Sequence, residues 1–261
     1  MMYQIKTYNK IAKEGLDLFG ETTFRVGEEQ QDPDAVLVRS KDLHGMEINP
    51  SLKCVARAGA GVNNIPVQAC SDNGVVVFNT PGANANAVKE LTLCAILAAS
   101  RNLFEAVDLV RTLQGSGDKV EELVEAGKSA FMGCEVLGKT LGVIGLGAIG
   151  VMVANCAIGF GMEVLGYDPY ISVDSAWGLS SCVHKAESLE EVYRKSDFIT
   201  LHIPLMEKTR DMVGDQAFRV MRRGRARRER GCALLTVPYG PWSRAGWRRG
   251  PRLGMASGAR R

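Results

Sequence analysis

The sequence predicts an α/β fold with parallel sheets. Short apolar segments alternate with helical ones across the first eighty residues, and the alternation returns after Thr140. A glycine-rich loop at residues 145–150 stands between an apolar run and a helical one. Alternation of this kind is typical of parallel strands whose crossover helices cover the faces of a sheet.

The first eighty residues supply the strands of one sheet. The predicted strands are residues 4–8, 35–38, 52–57 and 75–78, and the predicted helices are residues 11–19 and 66–70. Residues 58–64 form a loop with two glycines just after a strand end, where open α/β sheets place their ligands. The backbone N–H groups of such a loop suit a carboxylate.

A long helix is predicted from Asn86 to the break at Gly115. Its apolar residues recur at spacings typical of a buried helical face. They are Leu91, Cys94, Ala95, Leu97, Ala98, Leu103, Val107, Leu109 and Val110. We expect this helix to bridge two domains, and we expect the polar segment 120–127 that follows to be exposed.

The segment 140–150 has the residue types that bind a dinucleotide. Its apolar run predicts a buried strand, and a helix is predicted from Ala148 onward. Gly145 permits a tight turn, Gly147 lets the backbone approach a pyrophosphate, and Gly150 lets the helix pack closely on the strand. Backbone N–H groups and the helix dipole then converge on an anion.

Asp168 completes this unit. It follows a second predicted strand, residues 163–167, and lies 18 residues after Gly150. A carboxylate at this position accepts hydrogen bonds from both ribose hydroxyls of NAD and repels the additional phosphate of NADP. Because strand, turn, helix, strand and acid occur in this order, the sequence favours an NAD site over an ordinary turn.

The alternation continues beyond Asp168. Ser188 and Glu191 are typical of a capped helix start, and residues 197–203 and 215–221 predict a strand and another helix. A strand is expected next to complete the sheet. The sequence instead becomes rich in arginine and loses its periodicity, apart from a short apolar run at residues 232–237.

Charge divides unevenly along the chain. Residues 216–261 hold 13 arginines, no lysine and one acid, for a net charge of +12, whereas residues 1–215 carry −9. We expect most of the tail, residues 222–261, to be irregular or disordered. Its composition is typical of translation in a shifted frame of GC-rich DNA. Its arginines, with Trp242 and Trp247, are also compatible with nucleic-acid binding, which is the less favoured hypothesis because no folded reader accompanies them.

Composition bears on membranes, export and metals. No apolar run reaches the roughly 18 residues that span a bilayer, and the first ten residues lack the apolar core of a secretion signal. We therefore expect a cytoplasmic protein with no membrane partner. The seven cysteines include no CxxC pair, which favours buried free thiols over disulfides or a metal site.

Several motifs, in this order, resemble the D-isomer-specific 2-hydroxyacid dehydrogenases. They are segments 57–65, 79–82, 90–91, 145–150, 167–169 and 202–205, within a resemblance that covers residues 3–221. The branch that oxidises 3-phosphoglycerate, in serine synthesis, is the most similar. The resemblance implies oxidation of a 2-hydroxy acid by hydride transfer to NAD, and a homodimer formed around the NAD-binding domain.

The resemblance also implies a domain organisation. The N-terminal part of a discontinuous, flavodoxin-like substrate domain would span residues 1–90. An inserted Rossmann NAD-binding domain would span residues 91–221 and be incomplete, because the arginine-rich tail, residues 222–261, replaces its end.

Site residues follow from the same resemblance. The substrate set is Arg39, Arg57, Gly59, Ala60 and Gly61. In it the three-residue loop receives the substrate carboxylate, and the two arginines contact a substrate phosphate, which suits the guanidinium fork. A surface salt bridge is an almost equally good interpretation of Arg39.

The cofactor set is Gly145, Gly147, Ala148, Ile149, Gly150, Asp168, His202, Ile203 and Pro204. Ala148 and Ile149 would meet the pyrophosphate and Asp168 the adenosine ribose. The last three residues of the set would contact the cofactor near its middle.

The chain departs from the family's catalytic pattern. Relatives continue with an Arg that polarises the substrate carbonyl, a Glu, and a His that takes the hydroxyl proton. We identify no counterpart of these three residues, since His44, His184 and His202 all precede that place. We therefore expect impaired activity toward a small phosphorylated 2-hydroxy or 2-oxo acid. A non-catalytic NAD-binding module and a dehydrogenase for another D-2-hydroxy acid stay open as alternatives.

Overall fold

The computed structural model describes residues 2–204, 206–221 and 233–236. The chain divides into two compact units, Met1–Asn84 and Ala85–Arg261. Each unit contains a five-stranded sheet whose strand pairs are all parallel. The predicted α/β fold with parallel sheets is therefore confirmed.

The first unit has the strand order β2-β1-β3-β4-β5, which is the flavodoxin-like order. Its elements are β1 (Tyr3–Tyr8), α1 (Lys13–Leu16), β2 (Phe24–Gly27), β3 (Ala35–Val38), β4 (Cys54–Arg57), α2 (Val67–Asp72) and β5 (Val76–Phe78). Its core includes Val36, Val38, Val55 and Cys70, all fully buried. The prediction missed β2, and it placed a helix over residues 11–19 where only four residues are helical.

The second unit has the strand order β10-β9-β6-β7-β8. Its helices are α3 (Ala85–Ser100), α4 (Leu103–Thr112), α5 (Val120–Gly127), α6 (Ala148–Gly159), α7 (Val173–Gly178), α8 (Leu189–Lys195) and α9 (Asp215–Val220). Its strands are β6 (Thr140–Ile144), β7 (Glu163–Tyr167), β8 (Val183–Lys185), β9 (Phe198–Leu201) and β10 (Ala233–Thr236). The chain runs outward from β6 to β8 and then crosses to β9 on the other side of β6. Open α/β sheets bind ligands beyond the carboxyl ends of their strands at such a switch point.

Both faces of the second sheet are covered, which explains the unbroken apolar run in β6. Leu141 and Val143 pack in one cluster with Ile96 of α3 and with residues of α6. Ile144 packs in another with Val192 of α8. Strands that are buried on both faces have continuous apolar sequences, as β6 does. Helix α6 follows β6 directly after the glycine loop.

The long helix predicted from Asn86 to Gly115 is wrong in two respects. It breaks between α3 and α4 at Asn102, which adopts the left-handed conformation with φ 52°. The Asn102 amide group donates to the carbonyl of Met132 at 3.2 Å. The expected buried face is also absent from α4, which has no buried residue, and Leu91 of α3 is 57% exposed. A helical period shows that an apolar face exists, but it does not show what covers that face.

The arginine-rich tail contains one element that the prediction did not assign. Within the apolar run 232–237, β10 pairs in parallel with β9 at the edge of the sheet. A fifth strand therefore does follow α9, contrary to the expectation that the tail replaces it. The remainder of the expected irregular tail lies outside the described residues. Among the described residues, no helix is long and apolar enough to cross a membrane.

Candidate functional site

The glycine loop begins with a residue whose conformation excludes a side chain. Gly145 directly follows β6 with φ 91°. A Cβ atom built at Gly145 would lie 2.6 Å from Cγ2 of Ile203 and 2.7 Å from the carbonyl oxygen of His202. The Gly145 amide donates to the carbonyl of Tyr167 at 2.9 Å. The loop is therefore held between the chain that leaves β7 and the chain that leaves β9.

Two further positions of the loop, Gly147 and Gly150, have glycine for different physical reasons. A Cβ at Gly150 would collide with the carbonyl oxygen of Gly145, so Gly150 lets the first turn of α6 approach the loop. Gly147, the N-cap of α6, has negative φ (−82°), and a Cβ there would meet nothing within 4 Å. Gly147 thus leaves open space in front of the helix, where the sequence predicts a pyrophosphate.

The start of α6 offers hydrogen-bond donors at this space. Within the part of the chain that the structure describes, the amides of Ala148 and Ile149 pair with no acceptor. Unpaired N–H groups at a helix N-terminus, together with the dipole of a 12-residue helix, attract an anion. The residues present therefore fit a dinucleotide pyrophosphate.

Asp168 lies at the end of β7 beside the loop. One carboxylate oxygen accepts from the Leu146 amide at 2.8 Å, and the other accepts from the Tyr170 amide at 2.8 Å. A carboxylate offers about four lone-pair directions, so two amides leave acceptor capacity for ribose hydroxyls. The bond from the Leu146 amide fixes the carboxylate against the glycine loop, which sequence reasoning did not anticipate.

His202 follows β9 and is held from two directions. Its amide donates to the carbonyl of Ile144 at 2.8 Å, and its Nε2 lies 3.0 Å from the hydroxyl of Thr200. Burial lowers the pKa of His202 to about 4, so its imidazole is neutral at pH 7. His44 and His184 are both exposed.

The predicted substrate loop lies in the first unit, after β4. The guanidinium of Arg57 donates to the carbonyl of Arg39 at 2.9 Å and to the carbonyl of Gly61. The Arg39 side chain is exposed, and no acid of the described residues forms an ion pair with it. Arg57 therefore bridges the end of β3 and the Gly59–Ala60–Gly61 loop.

The structure brings each predicted set together within its own unit. Residues of the cofactor set meet at the carboxyl ends of β6, β7 and β9, except that Pro204 is exposed and has no role in these contacts. The substrate set meets at the carboxyl ends of β3 and β4. Sequence reasoning missed Thr200 and Asn79, although Asn79 stood in a motif that carried the resemblance.

Comparison with known proteins gives a consistent result. Residues 93–226 match the family model described as D-isomer specific 2-hydroxyacid dehydrogenase, NAD binding domain. The chain is 38% identical over 209 residues to D-3-phosphoglycerate dehydrogenase of Methanocaldococcus jannaschii, covering 78% of this chain and 37% of that protein. It is 38% identical over 179 residues to hydroxypyruvate reductase of Thermotoga maritima, covering 69% and 53%. The chain thus spans about a third to a half of the length of these relatives.

Solved structures agree on the fold. D-mandelate dehydrogenase of Rhodotorula graminis superposes with a TM-score of 0.73 at 24% identity, covering 94% of this chain and 77% of that one. The NAD⁺-bound 3-phosphoglycerate dehydrogenase of Entamoeba histolytica superposes with a TM-score of 0.61 at 25% identity, covering 85% and 69%.

Proposed function

We propose that this chain, which belongs to the D-isomer specific 2-hydroxyacid dehydrogenases, binds NAD at the carboxyl ends of β6, β7 and β9. The observation that carries the proposal is the open space at Gly147 in front of the unpaired amides of Ala148 and Ile149. Asp168 stands beside that space and accepts the ribose hydroxyls. Its negative charge disfavours the additional phosphate of NADP.

The residues that follow β9 shape the middle of the cofactor site. His202 is neutral, so it presents a polar, uncharged surface there and adds no charge. Ile203 is half-buried and lies against Gly145. Bound NAD supplies the hydride acceptor, and the protein's contribution is to hold and orient it.

The substrate we propose is a small 2-hydroxy acid with a phosphate group, such as 3-phosphoglycerate in serine synthesis. The amides of the Gly59–Ala60–Gly61 loop receive its carboxylate, and the basic residues Arg39 and Arg57 provide positive charge for its phosphate. Support comes from the relatives that are named phosphoglycerate dehydrogenases. The hydroxypyruvate reductase relative makes a non-phosphorylated hydroxy acid the second candidate.

We also propose that turnover by this chain is impaired. Of its three histidines, His44 and His184 are exposed and belong to neither predicted residue set, and burial lowers the pKa of His202 to about 4, so His202 is a weak base. Loss of an acid–base residue typically lowers the rate about 10²–10⁴-fold. The assay is NADH oxidation with 3-phosphohydroxypyruvate, run beside an intact relative. Comparable turnover contradicts the proposal, whereas NADH binding without turnover identifies a non-catalytic NAD-binding module.

A homodimer is the assembly we propose. Leu103, Val107 and Val110 recur along one side of α4 and are 50%, 48% and 62% exposed. Contiguous exposed apolar surface of this kind marks an interaction site, and the resemblance points to a second copy of the chain. Sedimentation tests this proposal. We expect the double variant Val107→Lys, Val110→Lys to sediment as a monomer while Leu18→Lys, which changes an exposed apolar residue of the other unit, stays dimeric. A wild-type monomer contradicts the proposal.

A further inference from the structure

The carbonyl groups of the substrate loop are all held from the protein side. The Gly59 carbonyl accepts from the Thr80 amide at 3.0 Å, and the Ala60 carbonyl accepts from the Asn79 side-chain amide at 2.7 Å. The Gly61 carbonyl accepts from the guanidinium of Arg57. Three consecutive carbonyls are therefore fixed by donors from β4 and from the segment after β5.

Fixing these carbonyls also fixes the next amides. In a planar trans peptide, the N–H of each residue points away from the carbonyl of the residue before it. The three bonds therefore orient the Ala60 amide away from Thr80, the Gly61 amide away from Asn79 and the Val62 amide away from Arg57. No acceptor among the described residues pairs with these three amides, whereas the Gly59 amide is taken by the carbonyl of Arg57 at 2.9 Å.

We propose that Asn79 and Arg57 are positioning residues that hold the Gly61 and Val62 amides ready for a substrate carboxylate. This inference rests on the proposed function, because it takes the loop to be the carboxylate site. Donors that are fixed before binding lose little conformational freedom when the anion arrives. Two hydrogen bonds from fixed amides therefore hold a carboxylate more tightly than two from mobile amides. Arg57 then acts on the substrate through the loop, in addition to any effect of its charge.

The packing of the loop agrees with this role. A Cβ at Gly61 would lie 2.8 Å from Nη1 of Arg57, so glycine at this position lets the guanidinium reach the carbonyl. A Cβ at Gly59 would lie 3.6 Å from the same side chain, at ordinary contact distance. The bond from Arg57 to the Gly61 carbonyl therefore requires glycine at position 61, whereas position 59 has room for a Cβ atom.

The test separates carboxylate binding from phosphate binding by calorimetric titration of the full chain. The probes are D-lactate, which has no phosphate, glycerol 3-phosphate, which has no carboxylate, and 3-phosphoglycerate, which has both. We expect Asn79→Ala to bind D-lactate and 3-phosphoglycerate about fivefold more weakly, as for one lost hydrogen bond, and to leave glycerol 3-phosphate binding unchanged. We expect Arg57→Lys to weaken D-lactate binding similarly, although it keeps the charge, because lysine lacks the two-pronged donor geometry.

The matched control is Asn73→Ala. The Asn73 side chain also donates to a carbonyl, that of Ala69 at 2.8 Å, at the end of α2 in the same unit. We expect this variant to bind all three probes like the wild type. In amide NMR spectra of the wild type, D-lactate should shift the Gly61 and Val62 signals, and Asn79→Ala should reduce the shift of Gly61.

Several outcomes overturn the inference. They are D-lactate binding that is unchanged in both Asn79→Ala and Arg57→Lys, a wild-type chain with a dispersed spectrum that binds neither D-lactate nor 3-phosphoglycerate, and equal loss of glycerol 3-phosphate binding in Asn79→Ala. NADH titration of the same samples reports on the other unit. Its failure would contradict the cofactor proposal and leave the loop result standing.

Discussion

Two glycines of the same loop should separate folding from cofactor binding. At Gly145 an alanine side chain would have to adopt φ 91° and would meet the carbonyl oxygen of His202 at 2.7 Å. The strained backbone costs about 1 kcal/mol, and the overlap with a carbonyl adds about 2 kcal/mol. We therefore expect Gly145→Ala to lower the free energy of unfolding by about 3 kcal/mol. For a chain of this size, that loss lowers Tm by about 9 °C.

Gly147→Ala should behave in the opposite way. Its negative φ suits alanine and no atom lies within 4 Å of the added Cβ, so Tm should stay close to that of the wild type. The methyl group would occupy the space proposed for the pyrophosphate, and an overlap of about 1.4 kcal/mol weakens NADH binding about tenfold.

Gly159→Ala is the control for both glycine variants. Gly159 ends α6, and a Cβ there would meet nothing within 4 Å, so neither Tm nor NADH binding should fall. Thermal unfolding followed by circular dichroism and fluorescence titration with NADH measure the two effects. A Gly145→Ala protein as stable as the wild type would refute the packing argument. Unchanged NADH affinity in Gly147→Ala would refute the pyrophosphate assignment.

Further predictions concern Asp168 and His202. Asp168→Ala removes the acceptor of the Leu146 amide and of the ribose hydroxyls. NADH binding should therefore weaken at least about tenfold, whereas NADPH binding should not weaken. An unchanged ratio of the two affinities would contradict the assignment of Asp168 to the ribose. The folded-state pKa of His202, about 4, lies below its ordinary value of 6.5. Its stability contribution is therefore complete above pH 6.5 and is lost as pH falls toward 4, by at most about 3 kcal/mol. Denaturant unfolding at several pH values should show a flatter dependence in His202→Gln, and identical slopes would argue against a buried neutral imidazole.

The sequence predicted the local parts of the site because their causes are local. The turn at Gly145, the helix start at Ala148 and the acid at Asp168 follow from residue types at short spacings, and the structure brings these residues together. The Leu146 amide bond to Asp168 depends on the register of β6 against β7, in which Ile144 lies opposite Tyr167. That register is a property of the folded sheet, and the glycine pattern alone does not specify it.

Contacts between distant segments were beyond the sequence for the same reason. Asn79 reaches Ala60 only because β4 and β5 are neighbours, with Ala56 opposite Phe78. Asn102 separates α3 from α4 through a left-handed conformation that an uninterrupted apolar period conceals. The strand β10 lies in a segment where arginines flank a short apolar run, so the sequence pattern did not identify it. Its pairing with β9 in the folded sheet shows that it is a strand.

Fluorescence titration of the full chain with NADH measures whether the second unit binds the dinucleotide. We expect saturable binding of NADH and markedly weaker binding of NADPH, because Asp168 stands where the additional phosphate would lie. Failure of NADH to bind saturably to a chain whose circular dichroism shows the α/β fold would refute the proposed NAD site.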